Sequence, residues 1–158
     1  METRGRLIVD VARLEAGGEA YCGETGTGLL ELGESEGVTP VGGMRYALRV
    51  EMAGDELLVR GEVRQSLRCV CSRCAVEFDT EVAVPDFLCS LERDTLDEFV
   101  DLTSELREAT ILALPGYPVC RETCQGLCMT CGVNLNTASC SCRKQDRDRR
   151  WSVLDALS

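Results

Sequence analysis

Residues 57–90 read LLVRGEVRQSLRCVCSRCAVEFDTEVAVPDFLCS, two runs in which apolar and polar residues alternate, with Cys71-Ser72-Arg73-Cys74 between them. A period of two marks a strand with one face on a core, so the runs predict strands over 57–71 and 76–90 joined as a hairpin. The cysteine pair then lies at the hairpin tip, where both sulfurs can point out of the sheet toward one position. A third alternating run, 44–52, precedes them across the turn Ala53-Gly54-Asp55-Glu56. Three such strands with tight connections predict an antiparallel β-meander or a partly open barrel.

Toward the N-terminus, residues 5–14 form a β-branched run that predicts one more strand. Between Gly17 and Gly43 lie 9 of the 15 glycines, together with Glu19, Glu24, Glu31, Glu34 and Glu36. That composition predicts an acidic loop over 15–43, interrupted at most by a short strand at Leu29 to Leu32. After the hairpin, 91–101 reads as acidic and irregular. Thr103 or Ser104 can then cap a helix of about 103–114, with Glu105 and Glu108 near its positive end and Leu102, Leu106, Ala109 and Ala113 as its apolar stripe. Pro115 and Gly116 end it. The expected class is therefore α+β: a β domain over 1–114 with one packed helix, a Cys-rich lobe over 115–142, and a basic segment over 143–158. In that last segment Trp151, Leu154 and Leu157 have the spacing of a short docking helix.

The chain has 158 residues, 44% hydrophobic and 28% charged, which suits one small globular domain with a lobe attached and excludes a large multidomain enzyme. Only 7 residues are aromatic, so aliphatic side chains must build the core. Lys and Arg number 17 against 27 Asp and Glu, a net charge of -10, which argues against a polyanion-binding surface over the whole molecule and suits a basic partner. Residues 1–114 carry 11 basic and 23 acidic side chains, net -12, whereas 115–158 carry 6 and 4, net +2. Contact with RNA or another partner through positive charge therefore falls to Arg143, Lys144, Arg147, Arg149 and Arg150, with Asp146 and Asp148 diluting the patch. The sequence begins without the basic-then-apolar pattern of a secretory signal and has no stretch of about 20 apolar residues, so the expected location is cytoplasmic, with no membrane partner.

Eleven cysteines and no histidine direct any metal chemistry to thiolates. An odd number in a reducing compartment points away from a disulfide framework. Cys120, Cys124, Cys128, Cys131, Cys140 and Cys142 place six thiols within 23 residues, and Cys71 and Cys74 bring the paired thiols to eight, enough for two tetrahedral zinc sites. The spacing groups Cys128 and Cys131 with Cys140 and Cys142, and Gly132 allows the turn that a C-x-x-C knuckle needs. Cys71, Cys74, Cys120 and Cys124 make a second set that ties the hairpin tip to the start of the lobe, with Cys69 as an alternative ligand. One or two zinc ions per chain are expected. Cys22 and Cys89 have no near partner and read as ordinary core or loop thiols. Arg73, Arg121 and Arg143 flank the thiolates, either for solubility or to offset their charge.

Other chemistries fit less well. Cys124-x3-Cys128-x2-Cys131 has the spacing of a radical-SAM cluster, but the chain is too short for that barrel, although another iron–sulfur centre remains open. Cys71-Ser72-Arg73-Cys74 has redox spacing but joins two strands, whereas a thioredoxin-like pair begins a helix. There is no Ser-His or Cys-His nucleophile and no Gly-rich phosphate loop, so no small-molecule substrate and no catalysis are expected.

The combination of Cys71-Ser72-Arg73-Cys74, Leu112-Ala-Leu-Pro115, Cys120-Arg-Glu-Thr-Cys124-Gln-Gly-Leu-Cys128-Met-Thr-Cys131-Gly-Val-Asn134-Leu-Asn136 and Cys140-Ser-Cys142 resembles the YceD family of bacterial and plastid proteins, the large ribosomal RNA subunit accumulation proteins. The resemblance covers roughly 44–157 and does not extend to 14–43. It implies a non-catalytic role in synthesis, processing or stability of 23S rRNA. The implied partners are large-subunit rRNA or its processing machinery, or a basic ribosomal protein. Ala75 departs from the family, which usually places an apolar residue after the first cysteine pair. Some members lack much of the C-terminal cluster, which implies that zinc supports the fold more than it performs the function.

Overall fold

The computed structural model describes residues 5–15, 17–30, 32, 37–93 and 97–142. The basic residues Arg143, Lys144, Arg147, Arg149 and Arg150 and the expected docking helix lie outside the described residues.

The alternating runs form long strands: β1 (Ile8–Asp10), β2 (Glu19–Glu24), β3 (Val38–Ala53), β4 (Glu56–Val70), β5 (Glu77–Glu92) and β6 (Phe99–Asp101), followed by α1 (Thr103–Leu112). β2-β3-β4-β5 make one antiparallel sheet in that order, and β1 pairs with β6 in a second. Both sheets are open, so the meander holds and the barrel alternative does not. β3 turns into β4 at Gly54-Asp55, with Gly54 at φ +66, which a two-residue hairpin favours at its first central position.

Several segments differ from the sequence reading: β3 begins at Val38, inside the expected loop, and Phe99–Asp101, expected irregular, is strand β6. Glu19–Glu24 is a strand, in register from Glu19 opposite Val50 to Glu24 opposite Arg45, although its glycine and glutamates read as loop. Pairing to the long β3 supplies what local propensity does not. Leu29 and Leu30 lie in a bend, with Leu30 buried and the Leu29 carbonyl accepting from Arg107 Nε at 3.0 Å. The N-terminal run is a strand only over Ile8–Asp10, after which Val11–Arg13 makes a single 3-10 turn.

One face of the four-stranded sheet carries the main core. Met44, Leu48, Val50, Leu57, Val59, Val63 and Phe87 pack there against Val9 of the small sheet, Leu7 just before it, Leu106 of the helix and Leu102 at its start. Full burial of each such side chain contributes about 1.5–3 kcal/mol. The helix start is built differently from the expected cap. Leu102 is the N-cap, the Thr103 N–H donates to Asp101 Oδ1 at 2.9 Å, and the buried Thr103 hydroxyl accepts the Leu7 N–H at 3.0 Å. Thr110, also buried, donates to the Leu106 carbonyl at 2.7 Å, which satisfies its hydroxyl inside the core.

Two irregularities shape the sheet. Between Val41 and Arg45 the β3–β4 register shifts, and buried Gln65 answers it by donating from Nε2 to the carbonyls of Val41 and Ser66 at 3.1 and 2.8 Å. Between Gly61 and Val63 the β4–β5 register shifts, and Pro85 lies in the extra length of the edge strand, where a missing N–H is tolerated. Among the described residues no helix is long and apolar enough to cross a membrane.

Candidate metal centres

The hairpin tip between β4 and β5 is a tight knuckle. The Cys71 N–H donates to the Val76 carbonyl and the Ala75 N–H to the Cys71 carbonyl, both at 2.9 Å. The chain after α1 folds against this tip. Ser72 donates to the Pro118 carbonyl from both its N–H and its hydroxyl at 2.8 Å, and Arg73 Nη1 reaches the carbonyls of Glu122 and Cys124 at 3.2 Å. The Leu127 N–H returns to the Arg73 carbonyl at 3.0 Å. Arg73 therefore ties backbone to backbone, which neither sequence reading of it anticipated. These contacts bring Cys71, Cys74, Cys120 and Cys124 together, with Cys71 and Cys124 Sγ 3.9 Å apart and Cys74 and Cys120 Sγ 3.8 Å apart. Cys71, Cys74 and Cys124 are buried.

A second knuckle repeats the same bonds. The Gly132 N–H donates to the Cys128 carbonyl at 2.9 Å and the Cys128 N–H to the Val133 carbonyl at 2.8 Å. Cys128 and Cys131 there meet Cys140 and Cys142, with Cys140 Sγ 3.3 Å from Cys128 Sγ and 3.4 Å from Cys131 Sγ. This set is more open, Cys131 and Cys142 being exposed. Within each set all four sulfurs lie within 4.8 Å of one another.

The knuckles differ at one position. Gly132 has φ +73 in the second, and its counterpart in the first is Ala75 at φ +57. A left-handed conformation costs an L-residue about 1–2 kcal/mol, part of which glycine returns through its freer unfolded chain. Ala75→Gly is expected to stabilise the chain by about 0.5–1 kcal/mol, read as a higher urea midpoint with unchanged metal content.

Backbone N–H groups aim at the sulfurs. Cys120 N lies 3.4 Å from Cys71 Sγ, Thr130 N 3.4 Å from Cys128 Sγ and Cys142 N 3.3 Å from Cys140 Sγ. Burial pushes the Cys71 thiol up, but N–H groups of Cys120, Cys74 and Arg73 outweigh it and bring it to about 6. The N–H groups of Cys131 and Thr130 bring Cys128 to about 6 as well. Cys120 is pushed up to about 12 by burial and by hydrogen bonding to Cys124, Cys71 and Cys74. Cys142 is pushed up to about 12 by hydrogen bonding to Cys140 and Cys131. Without a cation, each set thus holds both charged and protonated sulfur, as close like charges require.

The donor sets fit a tetrahedral thiophilic cation. Four sulfurs about 2.3 Å from one ion lie roughly 3.8 Å apart, which the hairpin set matches and the second approaches from below. Four protein ligands fill such a shell and leave no open position. Cys69 belongs to neither set, being buried with Val38 and Leu67, so it is not the alternative ligand. Cys89 packs against the main core and Cys22 is exposed on β2.

Residues 90–158 match the family model described as Large ribosomal RNA subunit accumulation protein YceD. Over these residues the chain is similar to the YceD family. The matched YceD region takes in β6, α1 and the six C-terminal cysteines, and leaves the hairpin pair Cys71 and Cys74 outside. An uncharacterized protein of Mycobacterium tuberculosis is 34% identical over 121 residues, covering 68% of this chain and 58% of its own length. The large ribosomal RNA subunit accumulation protein YCED homolog 1, chloroplastic, of Zea mays is 34% identical over 74 residues, 46% of this chain and 24% of its own. Its Arabidopsis thaliana counterpart is 29% identical over 58 residues, 37% and 18%. The chain thus spans less than two thirds of the length of the curated relatives it matches. No solved structure matches it significantly.

Proposed function

We propose that this chain is a non-catalytic, zinc-stapled accessory factor of the YceD family, acting in the cytoplasm, that promotes accumulation and processing of 23S rRNA and so the biogenesis of the large ribosomal subunit. The observation that carries the reading is the pair of closed four-sulfur sets within a chain similar to a family described by large ribosomal RNA accumulation. Cys71, Cys74, Cys120 and Cys124 would hold one zinc ion and Cys128, Cys131, Cys140 and Cys142 another. A bound zinc ion would supply cross-linking rather than catalysis, because the protein fills its coordination shell. In a strain lacking the gene, the ratio of 23S to 16S rRNA is expected to fall at least twofold. The wild-type chain would restore it and Cys128→Ser with Cys131→Ser would not. An unchanged ratio in the deletion strain would overturn the proposal.

A second reading has its own support: the chain as an acidic module for a basic ribosomal protein or processing enzyme, without direct RNA contact. Arg45, Arg49, Arg60, Arg64 and Arg68, which alternate with core residues along β3 and β4, are each ion-paired. Their partners are Glu81, Glu51, Glu51, Glu62 with Glu81, and Asp79. That outer face offers phosphates little uncompensated charge. Gel retardation of 23S fragments by the purified chain alone favours RNA contact; retardation only after a basic ribosomal protein is added favours the module.

A further inference from the structure

We infer that Asn136 is a positioning residue that couples the two sulfur sets, so that a metal held by Cys128, Cys131, Cys140 and Cys142 tightens the hold of Cys71, Cys74, Cys120 and Cys124 on another. The inference rests on the proposed reading of both sets as metal centres, and deepens it. Neither Asn134 nor Asn136 offers a ligand sulfur, yet their side chains lie where the two loops meet.

The bonds around Asn136 leave its amide one orientation. Its Oδ1 accepts from the Gln125 N–H and from Arg121 Nη2, both at 2.9 Å, so the NH2 end must face the other way. There Nδ2 donates to Asn134 Oδ1 at 2.7 Å and lies 3.5 Å from Cys124 Sγ. Asn136 thus grips the ligand loop 121–125 at three points, one of them the sulfur itself. Hydrogen bonds from an outer group to a ligating atom fix its direction and tune its donor strength.

Asn134 connects this grip to the second knuckle. Its Oδ1 also accepts the Asn136 N–H at 2.9 Å, and its carbonyl accepts the Thr137 and Ala138 N–H groups at 3.2 and 3.0 Å. It forms an antiparallel bridge with Leu127, and the flanking Leu135 N–H donates to the Gly126 carbonyl at 2.9 Å. Val133, beside it, accepts the Cys128 N–H. Closing the second knuckle on a metal therefore fixes Val133 to Asn136, and Asn136 fixes Cys124. By linkage the tightening is equal in both directions.

Cobalt(II) titration of the full chain, followed by its thiolate charge-transfer and d–d absorption, tests this. The wild-type chain is expected to bind two cobalt ions; a failure to bind any would overturn the metal reading itself, apart from the coupling. The hairpin site alone is observed in Cys128→Ser with Cys131→Ser, and the second site alone in Cys71→Ser with Cys74→Ser. Asn136→Ala is expected to weaken the hairpin site 10–100-fold, the usual range for losing such an outer partner, and to leave the isolated second site within about twofold. It should also move the hairpin site's charge-transfer band to longer wavelength, because the sulfur loses a hydrogen bond, which a merely structural role would not do. Asn136→Asp keeps the oxygen acceptor and removes the donor, so it should lose at least as much. Disabling the second site should weaken the hairpin site as well, and adding Asn136→Ala to that variant should cost less than it does beside an intact second site, the remainder being the direct hydrogen bond to Cys124. Coupling is overturned if, in the chain with both sets intact, either Asn136 variant leaves the hairpin site within twofold, or if that site binds equally well with and without the second.

Discussion

Stripping the metal-loaded chain with a strong chelator at neutral pH is expected to free residues 115–142 for proteolysis and hydrogen exchange while β3, β4 and β5 stay folded. The reason is how unevenly apolar burial is distributed. The main core is built from the two sheets and α1 and contains none of the eight sulfurs, whereas the described segment after α1 buries only Pro118, Cys124 and Gly126. Apparent binding free energies of about 10–16 kcal/mol for structural zinc in small peptides show what such a segment depends on. The hairpin set also joins Cys74 to Cys120, 46 residues apart, and a cross-link over that span removes about 4 kcal/mol of unfolded-chain entropy by analogy with a disulfide. Limited proteolysis with mass spectrometry gives the cut sites, and far-UV circular dichroism reports the sheet. Cutting throughout 38–92 would show instead that the sheet needs the staple, and no change at all would remove metal from the fold. Acid should act as the chelator does. Protons on Cys120 and Cys142, both at about 12, must leave for the metal to bind, so affinity rises with pH and the metal is lost as pH falls.

Gly61→Ala should unfold more of the protein than any surface change. Gly61 has φ +152, a region open essentially to glycine alone. A Cβ there would stand 2.1 Å from the Ala47 carbonyl oxygen and 2.9 Å from Leu48 Cα, both backbone atoms of the adjoining strand that cannot swing aside. Conformational strain costs about 1–3 kcal/mol before the clash is counted, so a total beyond about 3 kcal/mol is expected against a typical whole-domain stability of about 5–15 kcal/mol. Gly54→Ala is the control. Gly54 also has positive φ, at +66, but nothing lies within 4 Å of the added methyl, so about 1 kcal/mol is expected. Urea unfolding of the three proteins separates the cases; equal midpoints for the two variants would show that the β3–β4 contact yields.

Much of this was legible before any coordinates, because two periods carry it. Alternation in 44–90 fixes which residues of β3, β4 and β5 face inward, and cysteine spacing groups eight sulfurs as the structure brings them together. What escaped is governed by partners distant in sequence. Glu19–Glu24 reads as loop because its strand character comes from β3, and β6 reads as irregular because three residues have no periodicity until β1 pairs with them. Thr103 looked like a cap, yet its hydroxyl serves Leu7, 96 positions away. Ala75 gave a usable signal: it occupies the place that Gly132 holds after the other C-x-x-C, so its left-handed backbone could have been foreseen.

The sequence separation within the hairpin sulfur set also bears on how the chain is made. Synthesis runs from the N-terminus, so the β4–β5 tip can close into its knuckle well before Cys120 has been added. For that interval the nascent protein presents Cys71 and Cys74 without the other half of their set. The second set, contained within 128–142, has no such interval and can close as soon as it emerges. Under the proposed metal reading, supply of the metal during translation, and not only its final affinity, would decide how long a half-built thiolate pair stays open to oxidation or to the wrong cation.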